Sequence, residues 1–199
     1  PELTPDRADL LQTMYSGMGR SVPVGQTYYD EAFLAEPYRN NLLVARWGNR
    51  TLVRYPLRSR GASFSTEEHV LLQGSDQTRP VGVAVGRGGR IFVTLAYMSH
   101  NEGSPVYRSD LVMITRKDDP AHHPFDSYEA TTVSTDRLWE ELDHLSSWRS
   151  RRALVELIRR GETDTSIART ALIRLKDSPS AHLIWMAASG HGPDIETET

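Results

Sequence analysis

The feature that most limits what this chain can fold into is a change of hydrophobic period near residue 135. Before it, the apolar residues come in short runs rich in valine, leucine and tyrosine: QTYY (26–29), NLLVAR (41–46), TLVRYP (51–56), HVLLQ (69–73), VGVAV (81–85), RIFVTL (90–95) and LVMIT (111–115). Glycine, asparagine or proline turns separate these runs, which predicts strands. After it, Leu138, Leu142 and Leu145 fall at i, i+4 and i+7, and Leu154, Leu157 and Ile158 continue the rhythm, which predicts helices. The helix punctuation agrees. Ser146 or Ser147 can cap a helix that ends with Arg159 and Arg160 before Gly161, where cations meet the dipole and glycine accepts a left-handed conformation. Asp164 or Thr165 opens a second helix, and Ser178-Pro179 a third. The stretch KDDPAHHPFDS (117–127), rich in proline and charge, reads as linker. The expected organisation is therefore a β domain over 1–116, a linker over 117–135 and a helical segment over 136–199 whose short-turn helix pairs are those of a repeat solenoid.

Composition narrows the function classes. The 199 residues carry a formal net charge of −3 made of interspersed charges of both signs, which argues against a nucleic-acid binder that relies on a broad positive field. Cysteine is absent, which removes disulfides, thiolate metal sites and cysteine nucleophiles. No apolar run approaches the ~18 residues needed to cross a bilayer. The chain begins at Pro1 with no initiating methionine, so it is expected to be an excerpt of a longer protein.

The strand half contains a weak internal repeat. NLLVARWGNRTLVRYP (41–56) and RIFVTLAYMSHNEGSPVYRSDLVMIT (90–115) are each a strand, a polar turn and a strand, and they start 49 positions apart, close to a propeller blade of about 40–50 residues. In an antiparallel meander alternate turns share one edge, which brings the turns at 46–50, 74–80 and 97–110 together. Arg79, just before the VGVAV strand, would then join Arg46, Trp47, Asn49, Tyr97, His100 and Asn101 at the mouth of the β structure. Two roles are open to it: a ligand-facing cation, or a fork that ties neighbouring turns together through their carbonyls.

The segments GMGRSVPVGQTYYDEAFLAEPYRNNLLVARWGNRTLVRYPL and LLQGSDQTRPVGVAVGRGGRIFVTLAY resemble the closing blades of quinoprotein glucose/sorbosone dehydrogenase-like propellers. The likeness is to the version in large bacterial membrane-bound dehydrogenases, where HEAT-like repeats and often a c-type haem domain follow. It covers about residues 17–116, and LWEELDHLSSWRSRRALVELIRRG resembles the first repeats that follow such propellers. Tyr38-Arg39-Asn40-Asn41, and Arg79 followed by Val85-Gly86-Arg87-Gly88-Gly89, stand where the family has a tyrosine-arginine-glycine-asparagine step and an arginine ahead of V-G-P-D-G.

The resemblance implies about two blades of an all-β propeller, then HEAT-like helices, in an exported, periplasmic or extracellular protein. It also implies a sugar or polyol substrate, pyrroloquinoline quinone with calcium, and haem c outside this chain. The partners expected are the remaining blades, the downstream repeats and the sugar or polyol, with no nucleic acid and no membrane span. Arg79 becomes the cofactor-binding candidate, and Arg46, Trp47, Asn49, Tyr97 and His100 the substrate-facing ones. Catalytic residues and metal ligands are expected outside the chain. The departures matter too: Gly48 stands where those dehydrogenases carry a lysine, Val81 replaces a second arginine, and Gly82 an aspartate. A tricarboxylate cofactor thereby loses two cationic partners, each charge-assisted bond contributing roughly 1.5–3 kcal/mol. Two functions follow: part of a dehydrogenase-like protein passing electrons to a haem domain, or a cofactor-free scaffold for carbohydrate or protein binding.

Other motifs have plainer readings. His122-His123 near Asp118, Asp119 and Asp126 has the residue types of a metal site but sits in a proline-rich linker, where solvated histidines are the default. VGRGGR joins two strands with no helix or lysine after it, so it reads as a hairpin turn rather than a phosphate cradle. Trp148, Arg149, Arg151, Arg152, Arg159 and Arg160 form a solvated helix face with snorkelling arginines.

Overall fold

The computed structural model describes residues 21–98, 105–118, 127–178 and 180–189, and the chain divides into two compact units, Pro1–Phe125 and Asp126–Thr199. Among the described residues the first holds nine strands: β1 (Pro23–Tyr29), β2 (Asn41–Arg46), β3 (Thr51–Pro56), β4 (Arg58–Arg60), β5 (Ser63–Ser65), β6 (His69–Gln73), β7 (Thr78–Val85), β8 (Ile91–Met98) and β9 (Pro105–Ile114). They pair antiparallel in three sheets, ordered β1-β2-β3-β6, β4-β5 and β7-β8-β9.

The seven apolar runs lie on seven of these strands, and the burial of β2 and β3 explains why they read as continuous rather than alternating. Leu43, Ala45 and Leu52 on one face join Tyr29, Ile91 and Val93, while Val44, Val53 and Tyr55 on the other face form a second cluster with Leu42. A strand buried on both faces has no polar side to alternate with. Each such side chain removed from water contributes about 1.5–3 kcal/mol.

The four-stranded sheet packs on β7 through β1 and β2. Two glycines set the closeness of that approach. A Cβ on Gly25 would lie 2.9 Å from the Cα of Gly82 and 2.9 Å from the carbonyl oxygen of Val81, so β1 meets the backbone of β7 with no room for a side chain.

This architecture corrects the expectation of two propeller blades followed by HEAT-like repeats. The strands are divided into small sheets of four, two and three, and among the described residues they close no propeller. The 49-residue spacing arose from hairpins in different settings: β2–β3 lies at the centre of the four-stranded sheet, whereas β8–β9 ends the three-stranded one. Between β3 and β6 the chain detours through the separate β4–β5 hairpin, so the two halves do not repeat one blade.

The second unit corrects the solenoid expectation. Its α-helices are α1 (Thr135–Glu141), α2 (Ser147–Gly161), α3 (Thr165–Asp177) and α4 (Ala181–Ser189), after a 3₁₀ turn at Ala130–Thr132. Among the described residues, helices of 7, 15, 13 and 9 residues are too few and too unequal to stack as a repeat segment. They gather around Leu138, Trp139, Leu142, Ala153, Leu157, Ile167, Ala171, Leu183 and Met186. Local capping explains where they start: the hydroxyls of Ser134 and Ser146 accept from the N–H groups of Arg137 and Arg149, and the Asp164 carboxylate accepts from Ser166 N–H.

Two carboxylates are buried among the described residues of this unit, which requires partners. Glu141 is gripped by Arg149 through a fork of 2.9 and 2.6 Å, with Arg137 at 3.1 Å. Glu156 accepts from Arg159 at 2.8 and 2.7 Å and from Arg160 at 2.8 Å, and these arginines hold its carboxyl down at about 2. The arginines read as a solvated face therefore divide. Arg149, Arg159 and Arg160 neutralise buried acids, while Arg151 and Arg152 are exposed.

No helix among the described residues is long and apolar enough to cross a membrane.

Candidate functional site

The meander logic does bring the turns at 46–50 and 74–80 to one edge. Gly74 N–H donates to the Arg50 carbonyl at 2.7 Å, and Arg50 pairs with Asp76. Arg79 meets the first turn there: one terminal nitrogen donates to the Trp47 carbonyl at 3.0 Å, and its guanidinium lies over the Trp47 ring, 5.2 Å from the centroid. Its Nε is buried without a hydrogen-bond partner. Arg79 thus stacks on and tethers a neighbouring turn, a contact in which shape and charge both count.

The other candidates diverge from it. Arg46 is 3% exposed and is held by Glu68, whose Oε2 also accepts from Tyr55 OH at 2.9 Å, and by Ser21 Oγ at 3.0 Å. Asn49 is exposed and offers its carbonyl to Gln73. The register sets Tyr97 opposite Thr78 and Ala96 opposite Arg79, so Tyr97 and Arg79 leave their sheet on opposite faces. Tyr97 OH donates to Asp110 at 2.5 Å under the Arg108 guanidinium, a bond that raises the phenol's pKa. His100 and Asn101 lie outside the described residues, as do His122 and His123. Among the described residues no His, Cys, Asp or Glu group has the makings of a metal site.

We expect Arg79→Ala to lower stability by about 1–2 kcal/mol, the loss of one hydrogen bond and one cation–π contact. Urea unfolding of the two proteins measures it. An unchanged midpoint would mean the tether carries no load.

A cleft of about 450 Å³ opens elsewhere in the β unit. Phe33, Leu34, Ala35, Tyr38, Leu71 and Ile114 supply its apolar surface, and Thr115, Arg116, Lys117 and Asp118 line its remainder. Its first wall is the loop between β1 and β2. Tyr29, fully buried, donates its hydroxyl to the Gly89 carbonyl at 2.8 Å and accepts from Leu34 N–H at 3.1 Å; burial pushes this phenol up to about 12. It therefore stays a neutral donor and pins the loop where Leu34 enters the cleft.

Gly89 has φ +81°, and a Cβ there would meet the Phe33 Cβ at 2.6 Å, so this turn needs glycine for both its conformation and its closeness. Buried Asn41 donates to the carbonyls of Arg39 at 2.5 Å and Pro37 at 3.2 Å, which fixes the 3₁₀ turn Glu36–Tyr38 beneath the cleft. Arg54 links the same turn, donating to Pro37 O at 2.8 Å and Asn41 Oδ1 at 3.1 Å, with its guanidinium over the Tyr38 ring.

The second wall is the end of β9. Arg116 forks onto Asp118, with Nε to Oδ1 at 2.9 Å, and this pairing lowers the Asp118 pKa. Guanidinium groups also attend the Phe33 ring, with Arg90 4.6 Å and Arg116 5.9 Å from its centroid. The result is an apolar hollow with a hydroxyl, a paired acid and a cation at its edge. Such a site can hold a small molecule that is apolar on one side and polar at its rim. Sequence reading did not single out this cleft; the one local signal was Phe33 in DEAFLAEPY, an aromatic residue inside an acidic turn.

No protein-family model, curated protein or solved structure matches the chain.

Proposed function

We propose that the β unit is a cofactor-free binding module for a sugar or polyol, seated in the cleft formed by the Phe33–Tyr38 loop, Leu71 and the end of β9. The observation that carries this reading is the cleft itself: about 450 Å³, apolar within and edged by Thr115, Lys117 and Asp118, a size in the usual range for small-molecule sites. A pyranose or extended polyol offers C–H faces to such a floor and hydroxyls to such an edge. The loop is preorganised by Tyr29, Asn41 and Arg54, which lowers the cost of ordering it around a ligand.

The dehydrogenase reading leaned on a propeller and on quinone-holding cations. Arg79 is engaged with Trp47, and Gly48 and Val81 occupy the other two cationic positions, so the binding-scaffold reading has the better support.

Calorimetric titration of the chain with a panel of monosaccharides and polyols tests it. Ala35 is exposed and lines the cleft, so Ala35→Trp fills the space without removing a buried contact. At least one sugar or polyol is expected to bind, with affinity reduced at least about tenfold in Ala35→Trp. Saturable binding that is unchanged in this variant would place the ligand elsewhere.

A further inference from the structure

We infer that the ligand of this cleft carries a carboxylate, which makes acidic sugars, uronates or aldonates, its class. This rests on the sugar-binding reading above.

The charges at the cleft are unequal. Its lining residues include two cations, Arg116 and Lys117, and one anion, Asp118. Arg116 and Asp118 are matched to each other in a fork. Lys117, exposed on the same edge, makes no hydrogen bond or ion pair with another described residue. The surplus charge is therefore an exposed ammonium with three donors.

Of the acids outside the lining, Glu31 is buried beside Phe33 at the Gly89 turn and already has a partner, and Glu36 has a side chain 84% exposed and leans on Arg39 at 3.4 Å. The Tyr38 ring is biased the same way, since Arg54 stands over it and donates to the neutral oxygens Pro37 O and Asn41 Oδ1. A neutral sugar would leave this bias unused, whereas a carboxylate on the sugar rim meets Lys117 in a charge-assisted hydrogen bond, roughly twice as strong as a neutral one.

The test is calorimetric titration of the full chain with glucuronate, glucose and butyrate, at about 50 and about 500 mM salt. Glucuronate is expected to bind about tenfold more tightly than glucose at low salt, with the preference shrinking as salt screens the exposed ammonium. Lys117→Gln should bring the two sugars within about twofold of each other, with the larger loss on glucuronate. Equal affinity for glucose and glucuronate in the parent chain would overturn the carboxylate inference and leave the sugar site standing. Butyrate binding as tightly as glucuronate would overturn both, since the carboxylate would then be read without a sugar. Failure of every sugar to bind would also overturn both.

Discussion

Gly25→Ala is expected to destabilise the β unit by about 3 kcal/mol, while Gly82→Ala costs less than about 1 kcal/mol. The two glycines face each other where β1 crosses β7, but what a new methyl meets differs. At Gly25 it would sit 2.9 Å from both the Gly82 Cα and the Val81 carbonyl oxygen, and these backbone atoms move only if the strands part. At Gly82 it would meet Thr94 Oγ1 at 2.6 Å, the end of a side chain that can change rotamer. Neither glycine has a positive φ, so the difference is steric rather than conformational. Urea unfolding of both variants separates them, and equal midpoints would mean that the sheets do not meet as closely as described.

Glu156→Gln is expected to cost the helical unit about 2 kcal/mol at pH 7 and to remove a pH dependence seen in the parent. The carboxyl lies at about 2 against an ordinary value of 4.5, mainly through its bonds to Arg159 and then Arg160. A pKa lowered by folding means that the stabilisation is complete above 4.5 and is lost as the pH falls towards 2. At about 1.36 kcal/mol per unit the full shift would exceed this figure, but the Arg159 side chain is 63% exposed and water screens its share. Unfolding midpoints measured from pH 7 to pH 2 should show a fall below pH 4.5 in the parent that is shallower in the variant. Parallel profiles would contradict the role given to Glu156.

How much was legible from residues alone depended on whether the signal was local. Period and turn chemistry mark β1 to β3 and β6 to β9, and they offer Ser146 and Asp164 each as one of two possible caps, because a run of apolar residues or one polar side chain suffices. The β4–β5 hairpin escaped because Arg58–Arg60 and Ser63–Ser65 are largely polar, with no apolar face to announce a strand. Sheet membership was not legible either. Two similar hairpins 49 residues apart look like one repeated blade until the pairing partners are known.

The Arg79–Trp47 contact was reachable because alternate turns of a meander must share an edge. Tyr97 failed to join them through the two-residue alternation of β8, which turns it to the other face. The cleft was hidden for a different reason: it is assembled from the 33–38 loop, Leu71 and residues 114–118, segments that carry no common motif. The buried Glu141 and Glu156 were equally hidden, since a carboxylate on a helix reads as solvated until arginines are seen around it.

The most direct test of a sugar site in this cleft is a map of amide chemical shifts in the isotope-labelled chain during titration with glucuronate and with glucose. The account predicts that the saturating changes fall on Phe33 to Tyr38, Leu71 and Ile114 to Asp118, with Trp47, Arg79 and Tyr97 unmoved. Changes centred on Trp47 and Arg79 with the cleft silent would contradict it and return the ligand to the turn edge where sequence reasoning first placed it.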